Sequence, residues 1–216
     1  MPGSYREGAK RIAALTPAAL SFGAAFGVLA RANGIDATAA IVMSATTFAG
    51  AAQFAAISVL HDGGTIAAAV AAAVLLNTRY LAISLAIAPA FEGTRLRRLF
   101  ESQLIVDESW AVSQAGKGRV DRKILVGAGL VLFPFWVGGT AIGAVAGDVL
   151  GDPKKLGFDG ALPSLFLALL VAQLVDRRAK IAALAGGAVA LVLIPHTPAG
   201  IPVIAAAGVS LWGLRR

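Results

Sequence analysis

The sequence predicts an all-α, polytopic integral membrane helical bundle of about five to seven membrane segments, one of them broken or re-entrant near Gly50. Three observations lead there. Apolar residues make up 57% of the chain and charged residues only 14%, with a mean hydropathy of +0.77. A water-facing surface needs nearer a quarter of its residues charged. The apolar residues are gathered into runs close to the ~20 residues a helix needs to cross a bilayer. The Lys and Arg behind the net charge of +7 sit in short clusters between those runs. That pattern orients membrane proteins and is not the footprint of a nucleic-acid binder. Cysteine is absent, which removes disulfides, thiolate nucleophiles and thiolate metal sites.

Residues 1–216 read as a single membrane domain. A short polar start carries Arg6, Lys10 and Arg11, and the first span covers 12–30. It is followed by further spans and has no polar cleavage-like stretch, so it reads as a retained helix, not a removable signal. Pro17 lies near its start, where a missing N–H costs little. Gly23 and Gly27 form a small-xxx-small pair that admits a close helix neighbour. Asn33-Gly34 turns the chain. The segment 37–59 is apolar but carries Ser44, Thr46, Thr47 and Gln53, with Gly50 near its middle. The next span, 65–90, holds Asn77, Thr78, Arg79 and Tyr80 deep inside an Ala/Val/Leu run. Polar groups in hydrocarbon cost several kcal/mol unless partnered, so these residues point to a bundle interior or a polar pathway.

A basic cytoplasmic connection, 91–123, comes next. Phe91–Gln103, with Arg95, Arg97 and Arg98, suits a surface amphipathic helix. Leu104–Gln114 carries Asp107, Glu108, Ser109 and Trp110 and is too short to span alone. A clear span, 124–147, contains Pro134 and a stripe of Gly139, Gly143 and Gly147, most simply a helix-packing face. Residues 148–159 form a loop and 161–175 a further span ending at Arg177, Arg178 and Lys180. Two short apolar segments, 181–195 and 201–214, are split by His196–Gly200.

Charge orients these segments. The basic clusters at the N-terminus, 95–98, 119–123, 177–180 and the C-terminus all belong in the cytoplasm by the positive-inside rule. A full crossing by 37–59 would put Arg95–Arg98 on the wrong side. A segment that enters from outside, turns at Gly50 and returns satisfies every cluster, and such backbone at membrane depth is tolerated only inside protein or along a cavity. Transporters build substrate sites there. The alternative is a full span by 37–59 with that one charge violation.

No Walker loop, His-Glu-x-x-His, Gly-x-Ser-x-Gly or dinucleotide fingerprint is present, so an enzyme is not expected and no cofactor is implied. His61 and His196 read as solvated loop residues. The motifs Phe48-Ala49-Gly50-Ala51-Ala52-Gln53-Phe54, Leu76-Asn77-Thr78-Arg79-Tyr80, Ala88-Pro89 and Val106-Asp107-Glu108-Ser109-Trp110 occur in this order. This array resembles the AzlC-like branched-chain amino-acid permeases over roughly residues 10 to 195, most specifically between 48 and 110. The family position after Asn-x-Arg is often His, and this chain has Tyr80. The resemblance implies export of branched-chain or related amino acids across the inner (cytoplasmic) membrane, as a large subunit beside a small AzlD-like membrane partner.

The residues themselves suit a zwitterion. Arg79, or a half-helix N-terminus near Gly50, would meet its carboxylate. Asp107 or Glu108, with Gln53 or exposed carbonyls, would meet its ammonium, and Asn77 completes the set of candidate substrate-binding residues. Arg79 is equally open to a structural ion pair with Asp107 or Glu108. The alternatives are a channel-like flux valve for small solutes, without coupling to a gradient, a membrane-embedded enzyme, and a purely structural membrane subunit. A topological test follows from the charges: cysteines placed singly in this cysteine-free chain at Asp62 and Arg98 should label with an impermeant thiol reagent from outside and inside respectively. Labelling of position 62 only from inside would refute the returning segment.

Overall fold

In a computed structural model, residues 3–115, 120–150 and 177–197 are described, together with scattered positions from 167 to 209. Every element among them is helical. The N-terminal helix α1 (Tyr5–Ile12) begins on Ser4, whose hydroxyl accepts from the Glu7 N–H at 3.1 Å. It runs through a 3₁₀ turn at Ala13–Leu15 into α2 (Thr16–Ala32). The tighter turn sits just ahead of Pro17, whose ring would clash with a regular α-helical carbonyl four residues back. The helix therefore starts earlier than the span expected from 12–30, and Tyr5–Ala32 forms one apolar stretch of 28 residues.

The remaining elements are α3 (Ala37–Thr47), α4 (Gly50–His61), α5 (Ile66–Asn77), α6 (Arg79–Ile87), α7 (Arg95–Ser102), α8 (Asp107–Val112), α9 (Arg122–Leu150) and α10 (Arg177–Leu193). Asp36 caps α3, its carboxylate accepting from the Thr38 N–H at 2.8 Å. The segment 37–59 is broken as expected, at Phe48 and Ala49. The apolar run 65–90 is interrupted at Thr78, which itself keeps helical dihedrals (φ −58°, ψ −25°), while Ile66–Leu85 remains one stretch of membrane-crossing length; its end winds into a 3₁₀ turn at Ala88–Ala90 around Pro89. The expected start of a loop at 148 is still α9, and His61 closes α4 instead of lying in a loop. The basic residues at 177–180 form the first turn of α10. The expected span 161–175, most of the segment 201–214 and the loop 151–159 lie outside the described residues. Among the described residues, Tyr5–Ala32, Ile66–Leu85 and Arg122–Ala146 are long and apolar enough to cross a membrane.

The chain divides into two units, the first holding residues up to Gly50 and 78–151, the second 51–77 and 152–216. The first is organised by α1–α2 lying against α9. A Cβ on Gly23 would strike the Trp136 carbonyl, one on Gly27 the Thr140 carbonyl, one on Gly139 the Leu20 carbonyl and one on Gly143 the Ala24 carbonyl. Nearer the start, Gly8 faces the Ile124 carbonyl and Gly127 the Tyr5 carbonyl. Partner numbers rise together on both helices, so the two run parallel. Each helix thus presents glycines to the other's backbone at four-residue intervals, the close approach that small residues permit. Phe26, Ile12, Leu125, Ala128 and Ala144 are buried along this seam.

Helix α3 packs on α9 in the opposite sense, Ser44 beside Thr140 and Phe48 beside Phe133. The end of the unit at the start of α9 is packed by α6 and α7. Ile83, Ile87 and Phe91 cluster with Leu125 and Val126. Glu101 is held by Arg122 and Arg97, its carboxylate 2.7 Å from Arg122 Nε and 3.0 Å from Arg97 Nε. Burial alone would raise the Glu101 pKa, and the two guanidiniums outweigh it and hold the carboxyl below its ordinary range. In the second unit α5 exposes Ile66, Val70 and Val74 at four-residue spacing, a lipid-type face.

The seam is testable with one added methyl group. Gly143→Ala should cost ~1–3 kcal/mol by pressing a Cβ onto the Ala24 carbonyl. Gly138→Ala, where nothing lies within 4 Å of the added atom, should gain ~0.5–1 kcal/mol through helix propensity. Thermal unfolding in detergent reads both, and shifts of equal sign would refute the seam.

Candidate functional site

Two helix breaks interrupt apolar sequence. The first lies between α3 and α4. Phe48 takes a left-handed backbone conformation, φ 41°, which ends α3 with its N–H on the Ser44 carbonyl. A non-glycine residue held there is a strained feature that the surroundings must enforce. They do so from three sides. Phe48 meets Phe133 edge-on, ring centroids 5.1 Å apart. Gly50 lies on the indole of Trp136, where a Cβ would come within 2.7 Å of Cη2. Trp136 stacks in turn on Phe26 at 6.5 Å. The buried Ser44 and Thr140 hydroxyls are 2.8 Å apart, and Thr140 donates to the Trp136 carbonyl at 3.0 Å. Ser44 is then the donor to Thr140, and both hydroxyls are satisfied without water.

The carbonyls at the end of α3 find a partner from far along the chain. The Gln103 side-chain amide donates to the carbonyls of Ala45 at 3.1 Å and Thr46 at 2.8 Å. Phe133 stands near the middle of Arg122–Ala146, so the break is level with the middle of α9. Carbonyls freed at such a depth need a protein donor.

The second break, at Thr78, delivers Arg79 to the first turn of α6. Arg79 Nη2 lies 2.9 Å from Asp107 Oδ2, and its guanidinium carbon sits 5.2 Å from the centre of the Tyr80 ring. Asp107 is placed by the turn into α8. The buried Ser109 hydroxyl accepts from the Val106 N–H at 2.9 Å and lies 3.0 Å from the carbonyls of Leu104 and Val106. Asp107 and Glu108 fill the first turn of α8, where negative charge favours a helix start. Trp110 follows three residues after Asp107 on the same face of α8 and packs with Tyr80 against the Ile83–Leu125 cluster.

This constellation is under-satisfied. Arg79 Nε and the Trp110 indole N–H are buried without a hydrogen-bond partner among the described residues; in the second unit, by itself, the same holds of Asn77 Oδ1. Buried polar atoms are almost always paired, so each of these calls for a partner.

The six sequence-derived candidates are thus placed as follows. Arg79 and Asp107 meet, with the exposed Glu108 beside them. Gly50 belongs to the first unit, on Trp136. Gln53, fully buried, and Asn77 belong to the second unit. No group of three or more His, Cys, Asp or Glu suited to a metal ion occurs among the described residues.

A family model described as AzlC protein matches residues 14–150. The chain belongs to the AzlC family. An uncharacterized membrane protein of Archaeoglobus fulgidus is 36% identical over 193 residues, covering 87% of this chain and 84% of the relative. The branched-chain amino acid transport protein AzlC of Bacillus subtilis is 25% identical over 170 residues, 77% of this chain and 66% of the relative. The inner membrane protein YgaZ of Escherichia coli is 27% identical over 96% of this chain and 88% of the relative. No solved structure matches the chain. The match spans both breaks, the Arg79–Asp107 pair and all of α9, so the whole constellation lies inside the AzlC family region.

Sequence reasoning passed over Gln103 and Trp136. An amide beside a basic cluster looks like ordinary surface, and an indole in an apolar run looks like lipid-facing bulk. Gln103→Leu leaves the Ala45 and Thr46 carbonyls without their donor and should cost ~1–3 kcal/mol of stability. Unfolding of the detergent-solubilised protein measures it, and an unchanged midpoint would show that the break does not depend on Gln103.

Proposed function

We propose that this AzlC-family membrane protein carries branched-chain or related hydrophobic amino acids outward across the cytoplasmic membrane, as the large subunit of a pair with a small membrane protein. Family membership and the printed role of the Bacillus subtilis relative support the substrate class. The observation that carries the reading is the Arg79–Asp107 pair, joined through one guanidinium nitrogen beside a buried unpartnered Nε.

A zwitterion suits such a pair. Its carboxylate takes Arg79 through Nε and Nη2 together, the two-pronged geometry that guanidinium favours. Its ammonium takes the Asp107 carboxylate released by that exchange. Each protein charge trades one partner for another, so no unpaired charge is left in a low-dielectric setting. A keto acid or a simple amine satisfies only one half and leaves the other exposed to that penalty. Gln53 and Asn77 are further substrate-facing candidates by residue type, and no step in this scheme requires catalysis.

Both termini and the 91–123 connection are placed in the cytoplasm in this reading. The parallel run of Tyr5–Ala32 and Arg122–Ala146 supports it, because parallel helices require an odd number of net crossings between them. The broken segments 37–61 and 66–87 lie between, and two full crossings would be even. One of them therefore turns back. The reading takes 37–61 as the returning one, because its two helices are separately short whereas Ile66–Leu85 is long and apolar enough to cross in one run.

Arg79 separates site from scaffold. Arg79→Ala should lower efflux of labelled leucine or valine from loaded vesicles ~10- to 100-fold, the worth of one or two charge-assisted hydrogen bonds. Arg79→Lys should rescue little, because an ammonium cannot make the two-pronged contact. Arg79→Ala with Asp107→Ala should recover folded yield without recovering transport. Normal efflux from Arg79→Ala, or full transport by the double variant, would overturn the proposal.

A further inference from the structure

Helix α7 carries a feature that the transport reading does not use. Leu96, Leu99 and Phe100 are 63%, 65% and 67% exposed, and their spacing of three and four residues puts them on one face. Glu101 lies about 150° around the helix from the centre of that face, at ~100° per residue. It is turned inward onto Arg122 at the foot of α9. The apolar triad therefore faces away from the first unit. Thr94 fixes the start of α7 by accepting from the Arg97 N–H at 3.3 Å. Arg97 is engaged with Glu101 at 3.0 Å, whereas Arg95 and Arg98 are exposed and have no carboxylate within ion-pair distance among the described residues. Arg122 and Lys123 begin α9 at the same end, and Gly8 of α1 meets Ile124 there, so α7 is anchored where the basic residues collect.

We infer that α7 is an interfacial helix that docks on the headgroups of anionic lipids. Leu96, Leu99 and Phe100 enter the boundary between headgroups and acyl chains, with Arg95 about 90° round the helix at the edge of that face and Arg98 about 150° round it on the polar side. An exposed apolar face with flanking guanidiniums is the composition that binds anionic leaflets, the aliphatic part supplying burial and the cations selectivity. The clamp of Glu101 between Arg97 and Arg122 makes the docking rigid, and Gln103 follows at the end of α7 on the carbonyls of α3. The inference needs only that the chain is membrane-embedded and stands apart from which solute it carries.

The natural lack of cysteine makes the test direct. Leu99→Cys carrying a bimane fluorophore is reconstituted as the full chain into vesicles containing brominated phosphatidylglycerol or brominated phosphatidylcholine. Lipid-borne bromine should quench the label in both, and competition between the two lipids should favour phosphatidylglycerol roughly tenfold, given about fivefold per arginine before screening. Arg95→Ser with Arg98→Ser should erase the preference while leaving quenching, and so should ~1 M salt, which shortens the screening length to ~3 Å. Both substitutions are at exposed side chains, and size-exclusion behaviour checks that the variant is folded. A label that bromolipid does not quench would show that protein covers this face. Equal quenching by the two lipids, or a preference that survives the double substitution, would overturn headgroup recognition.

Discussion

Close approach of two glycine-lined helices is the constraint on which the first unit depends. Lipid tails are as apolar as leucine, so no hydrophobic drive brings helices together in a bilayer, and packing between backbones takes its place. Gly23 and Gly27 on α2 and Gly139 and Gly143 on α9 each lie against the partner's carbonyls. That contact positions Trp136 and Thr140 within α9. Trp136 supports Gly50 and Phe26, and Thr140 receives Ser44, so the geometry of the α3 break is inherited from the seam.

The second constraint is where polar groups go when water is absent. Each break frees backbone or introduces charge, and each is answered by a residue from the 101–113 connection. Gln103 takes the carbonyls of α3, Asp107 takes Arg79, and Glu101 joins Arg97 to Arg122. A stretch that reads as a basic connection thus supplies the polar partners of this unit. Its regularity comes from local hydrogen bonds, above all those of Ser109, since six-residue α8 is far too short to be stable alone.

How much of this was legible depends on what kind of signal each residue carries. Membrane helices were legible because hydropathy is additive along a run. The glycine spacing showed that two helices had small faces but not that these faces met each other, since spacing names a face and never its partner. The break near Gly50 was legible from the glycine, although the residue that turns the chain is Phe48, a type that avoids the left-handed region and so gives no warning. The break at Thr78 had no signal, because Leu-Asn-Thr-Arg-Tyr reads as ordinary helix at its propensities. The need of Arg79 for an anion followed from the cost of an unpaired charge. Choosing Asp107 over its neighbour Glu108 required the direction in which α8 starts.

The parallel seam also has a history in time. Gly3 bonds to Asp121 across 118 residues, and Gly8 meets Ile124, so the earlier helix is completed by one made much later. At 5–20 residues per second, roughly ten seconds of synthesis separate the two. Throughout that interval the glycine face of Tyr5–Ala32 lies in the bilayer or the insertion machinery with its true neighbour not yet made. Assembly of the first unit is therefore a late event, ordered by the ribosome, and any mutation that slows α9 lengthens the period in which a small-residue face is open to the wrong helix.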